Sequence, residues 1–292
     1  MTGFIRQALA SAASVAKVVL MSRHPRKSRP VDSAREIVIL GNGPSLRDTM
    51  DNHWDSLMAR SRMAVNFAAV ADEFKKLCPD FYIMIDPLMF PPDGASGASR
   101  SAELWCRLRE VDWPMTLFVP SSRLSDARRL LGENPDVTVS PVNITPVEGW
   151  HWLTRALFRK GLGMPRPRNV LVAAVMAAIG EGFGRIILSG ADHTWSHTLR
   201  VDNHNRICMA VEHFYADRCS EDLRVAEAYR DVRLHDVLES LSIAFRSYFQ
   251  IRDYAHAVGV RIVNITPSSM IDAFPLGSFP DPFSGEQKDT VG

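Results

Sequence analysis

Four short apolar runs in this chain each end on residues that a buried strand does not readily continue through. That recurring pattern constrains the fold more than any other feature. Glu36-Ile37-Val38-Ile39-Leu40 meets Gly41-Asn42-Gly43, and Met63-Ala64-Val65-Asn66-Phe67 carries Asn66 near its end. Phe81-Tyr82-Ile83-Met84-Ile85 stops at Asp86-Pro87, and Arg185-Ile186-Ile187-Leu188-Ser189 stops at Gly190-Ala191-Asp192. Unbroken apolar runs of this length read as strands covered on both faces, as in parallel sheets. Further strands are predicted at 115–119, 137–139 and 260–264, and helices at 46–60, 68–77, 102–110, 125–131, 169–181 and 221–258. Strands alternating with helices predict an α/β fold: one Rossmann-like domain with a mostly parallel sheet and helices on both faces. In such sheets ligands sit at the carboxyl ends of the strands, where these four polar stops converge.

The chain has 292 residues, enough for one α/β domain with an inserted lid. A net charge of +1 gives no broad field for nucleic acid. Cys78, Cys106, Cys208 and Cys219 form no C-x-x-C pair, which argues against a disulfide framework or zinc ribbon and fits a reducing, cytoplasmic setting. No uninterrupted apolar stretch reaches the roughly 18 residues of a membrane span. Residues 1–30 form a leader: a mildly apolar segment broken by Ser11, Ser14 and Lys17, then the basic Arg23-His24-Pro25-Arg26-Lys27. It reads as a packed or frayed helix, as an amphipathic helix on a membrane surface, or as a signal peptide. The expected layout is a leader at 1–30, a catalytic domain at 31–276 with its lid near 192–220, and a flexible tail at 277–292.

Gly41-Asn42-Gly43-Pro44-Ser45 follows a strand and opens a helix, a setting in which backbone amides and a helix N-terminus receive a phosphate. Ser45 reads as an N-cap or a phosphate ligand. The alternative is a tight turn with an ordinary cap. Asn66 and Asp86 suit the reading of a base or ribose hydroxyl; Asp86 also suits a metal or a simple turn. Arg168 and Asn169 precede the Ala-rich helix, with Asn169 as its cap and that N-terminus aimed at the same site. His193, His197 and His204 read as solvated loop histidines. His193-x-x-x-His197 has metal-ligand spacing only if helical. His213, in Val211-Glu212-His213-Phe214-Tyr215, suits a general base.

Several segments together resemble the bacterial sialyltransferases of glycosyltransferase family forty-two, and the related flagellin-glycosylation and MptE-like domains. They are Ile37 to Leu46, Asp86-Pro87-Leu88-Met89-Phe90, Gly182 to Asp192, and Val263-Asn264-Ile265-Thr266-Pro267-Ser268-Ser269. The resemblance spans about Ile37 to Phe274. It implies a GT-A-variant fold with a lid, a CMP-activated sialic acid or related nonulosonate as donor, inversion, and no required metal. It implies donor contacts from Asn42, Ser45 and Asn66, with Asn169 and its neighbours under the donor; the full set of expected donor contacts is Gly41, Asn42, Gly43, Pro44, Ser45, Asn66, Asp86, Arg168, Asn169, Gly190, Asp192, Tyr215 and Ser268. His213 is implied as catalytic base and Tyr215 as a phosphate contact. The implied partners are a sugar-nucleotide donor and a saccharide or lipid-linked glycan acceptor, with peripheral contact at the inner membrane and a homo-oligomer as further expectations. Asp86 stands where the family has asparagine, so base or ribose reading departs from the pattern there. Two other readings stay open: an MptE-like diphosphokinase using ATP, a pterin and Mg2+, and a nucleotide-binding protein without activity.

Overall fold

The computed structural model describes residues 2–91, 99–209 and 232–284. The strands in chain order are β1 (Asp32–Leu40), β2 (Ser61–Val65), β3 (Phe81–Ile83), β4 (Met115–Pro120), β5 (Val137–Val142), β6 (Phe183–Ser189), β7 (Arg200–Val201), β8 (Ile207–Cys208) and β9 (Arg261–Asn264). The helices are α1 (Thr2–Met21), α2 (Leu46–Asn52), α3 (Trp54–Met58), α4 (Phe74–Leu77), α5 (Arg100–Arg109), α6 (Leu124–Leu131), α7 (His151–Arg159), α8 (Val170–Gly180) and α9 (Leu234–Val258). Seven strands form one parallel sheet in the order β5-β4-β3-β2-β1-β6-β9, while β7 and β8 pair antiparallel as a separate hairpin. The fold is a Rossmann-like α/β domain.

Alternation along β1 sorts the core. Ile37 and Ile39 face one side, Val38 and Leu40 the other, and all four are buried. On the first side lies α8, whose residues Val170 to Ile179 are all buried. A helix apolar on every face needs cover on every face, and α8 has the sheet beneath it and α9 against it. On the other side Trp105 and Leu108 of α5 pack with Tyr82 and Leu117, and Leu46, Met50 and Leu57 of α2 and α3 pack with Val38, Leu40 and Ile187. The chain steps outward from β1 to β5 and returns to the far side of β1 with β6 and β9. The winding therefore reverses between β1 and β6, and loops diverging there leave a crevice at the strands' carboxyl ends.

Several elements differ from the sequence expectation. The helix expected over 46–60 is two helices, because His53 leaves helical geometry (φ −133°) and its ring packs against Phe279. The helix expected over 68–77 is a 3₁₀ turn, Asn66–Val70, followed by the short α4. Asn66 is left-handed (φ 51°), and the Tyr82 hydroxyl accepts the Ala69 N–H at 3.1 Å, a bond that competes with helical pairing. The stretch giving α7 was not foreseen as helix. The tail expected from 277 is packed as far as Ser284: Phe279 and Phe283 are buried against Val38 and Val263, and the Arg185 guanidinium lies 4.2 Å from the Phe283 ring centroid. Residues 285–292 lie outside the described residues. The leader is packed too. Buried Glu181 pairs with Arg26 and Arg29, and Ser14 and Ser22 of the leader bond to the segment around Thr145 and Glu148.

Candidate functional site

A cleft of about 660 Å³ opens at the switch between β1 and β6. That volume lies within the range of small-ligand sites. Four strand ends contribute: Asn42, Gly43 and Pro44 after β1, Asn66 after β2, Asp86 after β3, and Gly190, Asp192 and His193 after β6. Arg168 and Asn169 enter from the N-terminus of α8, and Trp195 and His197 from the 3₁₀ turn Thr194–Thr198.

The turn after β1 is committed to the protein itself. Gly41 N–H donates to Ser189 (2.7 Å), Gly43 N–H to Gly190 (2.9 Å) and Leu46 N–H to Gly43 (3.1 Å). Ser45 donates its N–H to Asp192 Oδ1 at 3.3 Å and its hydroxyl to Oδ2 at 2.7 Å. A Cβ on Gly43 would stand 1.9 Å from Asp192 Oδ2, so glycine is what admits the carboxylate. These contacts correct two expectations. Ser45 has helical dihedrals and makes no side-chain cap, and its amide and hydroxyl hold an internal anion rather than awaiting a phosphate. Gly41 is likewise structural: a Cβ there would meet the Gly190 carbonyl at 2.3 Å.

The N-terminus of α8 differs. Asn169 Oδ1 caps it, accepting from Val172 N–H at 3.3 Å, and also accepts from the Tyr248 hydroxyl at 2.9 Å. Tyr248 Oη lies 2.6 Å from His193 Nε2. Tyrosine has one proton, and the Asn169 oxygen can only accept, so His193 Nε2 must be the protonated nitrogen of a neutral ring. Burial holds the imidazole neutral, lowering its pKa to about 3, and raises that of Tyr248. His193 itself is left-handed (φ 56°), and its ring packs on Trp195 with centroids 4.1 Å apart and the planes tilted by 32°. The expectation of a solvated loop histidine is corrected here: its ring is enclosed by Trp195, Phe245 and Tyr248.

Three asparagines of the cleft carry buried amide atoms with no hydrogen-bond partner among the described residues: Asn42 Oδ1, Asn66 Oδ1 and Asn169 Nδ2. Their neighbours fix two of these orientations. Asn42 Nδ2 donates to the Val65 carbonyl at 3.2 Å, which leaves its oxygen over. Asn169 spends its oxygen twice, which leaves its nitrogen over. Unpaired buried polar atoms cost free energy, and all three belong to side chains that line the cleft, so turning those side chains toward a polar ligand there would relieve that cost. Asp86 accepts Leu88 N–H at 2.9 Å, so it caps a turn while lining the cleft.

Of the residues singled out from sequence, Asn42, Gly43, Pro44, Asn66, Asp86, Arg168, Asn169, Gly190 and Asp192 line the cleft. Gly41, Ser45 and Ser268 do not line it; Ser268 is exposed, while its neighbour Ser269 bonds the Ala191 carbonyl at 2.6 Å. His204 sits beside Asp202 in the loop of the β7–β8 hairpin. His213 and Tyr215 lie outside the described residues. Tyr248 was missed because nothing local distinguishes it within a long amphipathic helix. Among the described residues no group of three or more His, Cys, Asp or Glu side chains is placed to hold a metal ion. The His193–His197 pair spans a 3₁₀ turn, with His193 Nε2 engaged by Tyr248.

No family model and no curated protein matches the chain. Among solved structures it is similar to the MAf glycosyltransferase from Magnetospirillum magneticum AMB-1, at 13% identity and a TM-score of 0.46 over 91% of this chain. The chain spans 38% of the length of that structure.

Proposed function

We propose that this protein is a glycosyltransferase that passes an acidic sugar, a sialic acid or related nonulosonate, from a CMP-activated donor to a hydroxyl of a saccharide or lipid-linked glycan. The observation that carries this reading is the trio of unpartnered asparagine amides lining a cleft beside a helix N-terminus. Turned into the cleft, the Asn42 and Asn66 amides would present acceptors suited to the amine and hydroxyls of a nucleoside. Asn169 Nδ2, Arg168 and the first amides of α8 suit a phosphate. The resemblance of the strand-end motifs to the sialyltransferases supplies the donor class.

In this reading a histidine removes the acceptor proton as that oxygen bonds to the anomeric carbon from the face opposite CMP. The bond from that carbon to the phosphate oxygen breaks, and CMP leaves with the electron pair, inverting the centre. Arg168 and the α8 amides stabilise the charge that develops on the phosphate. The resemblance assigns the base to His213; His197 is a described histidine at the cleft. His193 is unsuited, since its burial suppresses protonation near neutral pH.

A second reading is an ATP- and Mg2+-dependent diphosphokinase acting on a pterin, favoured by two carboxylates, Asp86 and Asp192, at one cleft. Thermal unfolding with CMP, CDP, UDP, GDP and ATP, each with and without Mg2+, separates the two. Ligand at about 100 times its Kd stabilises by about 2.7 kcal/mol. A selective rise with CMP that needs no Mg2+ is expected. A rise only with ATP and Mg2+ sinks the transferase reading. CMP binding without turnover on a broad acceptor panel identifies a non-catalytic nucleotide-binding protein.

A further inference from the structure

Helix α1 is assembled inside out. Its buried side carries small polar residues. The Ser11 hydroxyl accepts Trp150 N–H at 3.0 Å, Ser14 donates to the Glu148 carbonyl at 2.8 Å and accepts its N–H at 2.9 Å, and Ser22, just past the helix, lies 2.9 Å from the Thr145 hydroxyl. A Cβ on Gly149 would stand 2.2 Å from the Ser11 hydroxyl, so this seat is closely fitted. The side turned outward is apolar along its length, through Ile5, Leu9, Ala12, Ala16, Val19 and Leu20. Leu9 is 67% exposed, Val19 75% and Leu20 79%. Helical spacing puts these residues on one stripe, the reverse of a surface helix on a soluble domain. The apolar surface continues onto α7: Phe4 packs on Trp150, and Trp150 stacks on Trp152, which is 68% exposed.

The charge carried by the segments that form this face has one sign, with Glu148, paired to Arg166, and Asp253 at its border. Residues 2–30 contain six Lys and Arg and no Asp or Glu, and residues 150–160 contain three and none. Arg26 and Arg29 are engaged by buried Glu181, while Arg6, Arg23, Lys27, Arg155, Arg159 and Lys160 are exposed. In a chain of net charge +1, this concentration is local.

We propose that α1 and α7 form a docking surface for an anionic lipid bilayer, with α1 lying in the plane of the headgroups. The apolar stripe supplies the area removed from water, Trp152 has the amphipathic ring favoured at the interface, and the surrounding cations complement lipid phosphates. Gly3–Met21 is long and apolar enough to cross a membrane. Crossing, however, would strip Ser11 and Ser14 from partners 139 and 134 residues along the chain, whereas in-plane docking keeps them. Arg23 N–H, two residues past α1, bonds Asn143 at 2.8 Å directly beyond the carboxyl end of β5, so this surface meets the sheet at the end where the cleft opens.

The test is sedimentation of the whole protein with vesicles of phosphatidylcholine alone or mixed with phosphatidylglycerol, without substrate. Expected is binding to the anionic vesicles, weakened by salt and at least about tenfold weaker for Leu9→Glu/Leu20→Glu, which removes two inserted side chains. Both positions face solvent, so the variant should keep the parent's circular dichroism and unfolding temperature. Failure to bind anionic vesicles overturns the proposal, as does equal, salt-independent binding to both compositions. So does a vesicle-free dimer abolished by the same substitutions, which would assign the face to a second copy. Resistance to alkaline carbonate extraction from cell membranes would assign α1 to a span.

Discussion

His193, Tyr248 and Asn169 form a chain of donors and acceptors from the turn after β6 to the cap of α8. The His193–Tyr248 link is buried and those to Asn169 partly so, and removing one strands its neighbour. Tyr248→Phe should cost about 1–3 kcal/mol in urea unfolding, because His193 Nε2–H then has no acceptor. The same substitution should weaken nucleotide binding, since Asn169 loses the contact that orients its free amide nitrogen. His193 also sets a pH dependence. Below about pH 6.5 the unfolded chain takes up a proton here that the folded chain refuses until about pH 3. Stability therefore falls by about 1.4 kcal/mol per pH unit as pH drops through that window, and this group contributes no slope above it. His193→Asn, which tolerates the left-handed backbone, should flatten urea-unfolding stability against pH between 6.5 and 4, while leaving the slope above pH 7 unchanged. At the opposite wall, Asn42→Ala should lower affinity for the stabilising nucleotide about tenfold by calorimetry, the scale of one lost hydrogen bond to a polar ligand.

At the scale of elements, α8 supports the site from beneath. Asn169→Ala removes its cap and the acceptor for Tyr248 together, and a loss of about 1–2 kcal/mol is expected in thermal unfolding, with weaker nucleotide binding. The sequence made β1, β6 and this cap legible, because each is written locally: apolar runs with polar stops, and an asparagine ahead of an Ala-rich helix. It also made legible that strand ends would converge, which follows from parallel winding alone. Other features depend on partners far along the chain. Asp192 lies 147 residues from the Ser45 amide it occupies, so nothing near Ser45 announced that the turn was already filled. Asn66 begins a 3₁₀ turn because Tyr82, on the next strand, takes the Ala69 amide. Helix α7 has only a short amphipathic pattern, and the chain around it offered no conspicuous start signal.

At the scale of the whole molecule, the first and last described segments pack into the domain rather than standing apart from it. Glu181 grips the basic segment after α1, and Phe279 and Phe283 close the core beneath β1 and β9. Phe283→Ala should cost about 3–5 kcal/mol, measured by urea unfolding, a penalty foreign to a flexible tail. With net charge close to neutral, no global field decides which anion enters the cleft. If the cleft takes the proposed nucleotide donor, Asp192 would act there as a charge filter. One ionised phosphate can settle at α8 without crowding a carboxylate that is already seated, whereas a second brings repulsion into the same cleft. Under the transferase reading, monophosphate-linked donors would thereby be sorted from diphosphate-linked ones before any sugar is read. Asp192→Asn should strengthen binding of UDP and GDP relatively more than that of CMP, and an unchanged ratio among the three would remove this account of selectivity.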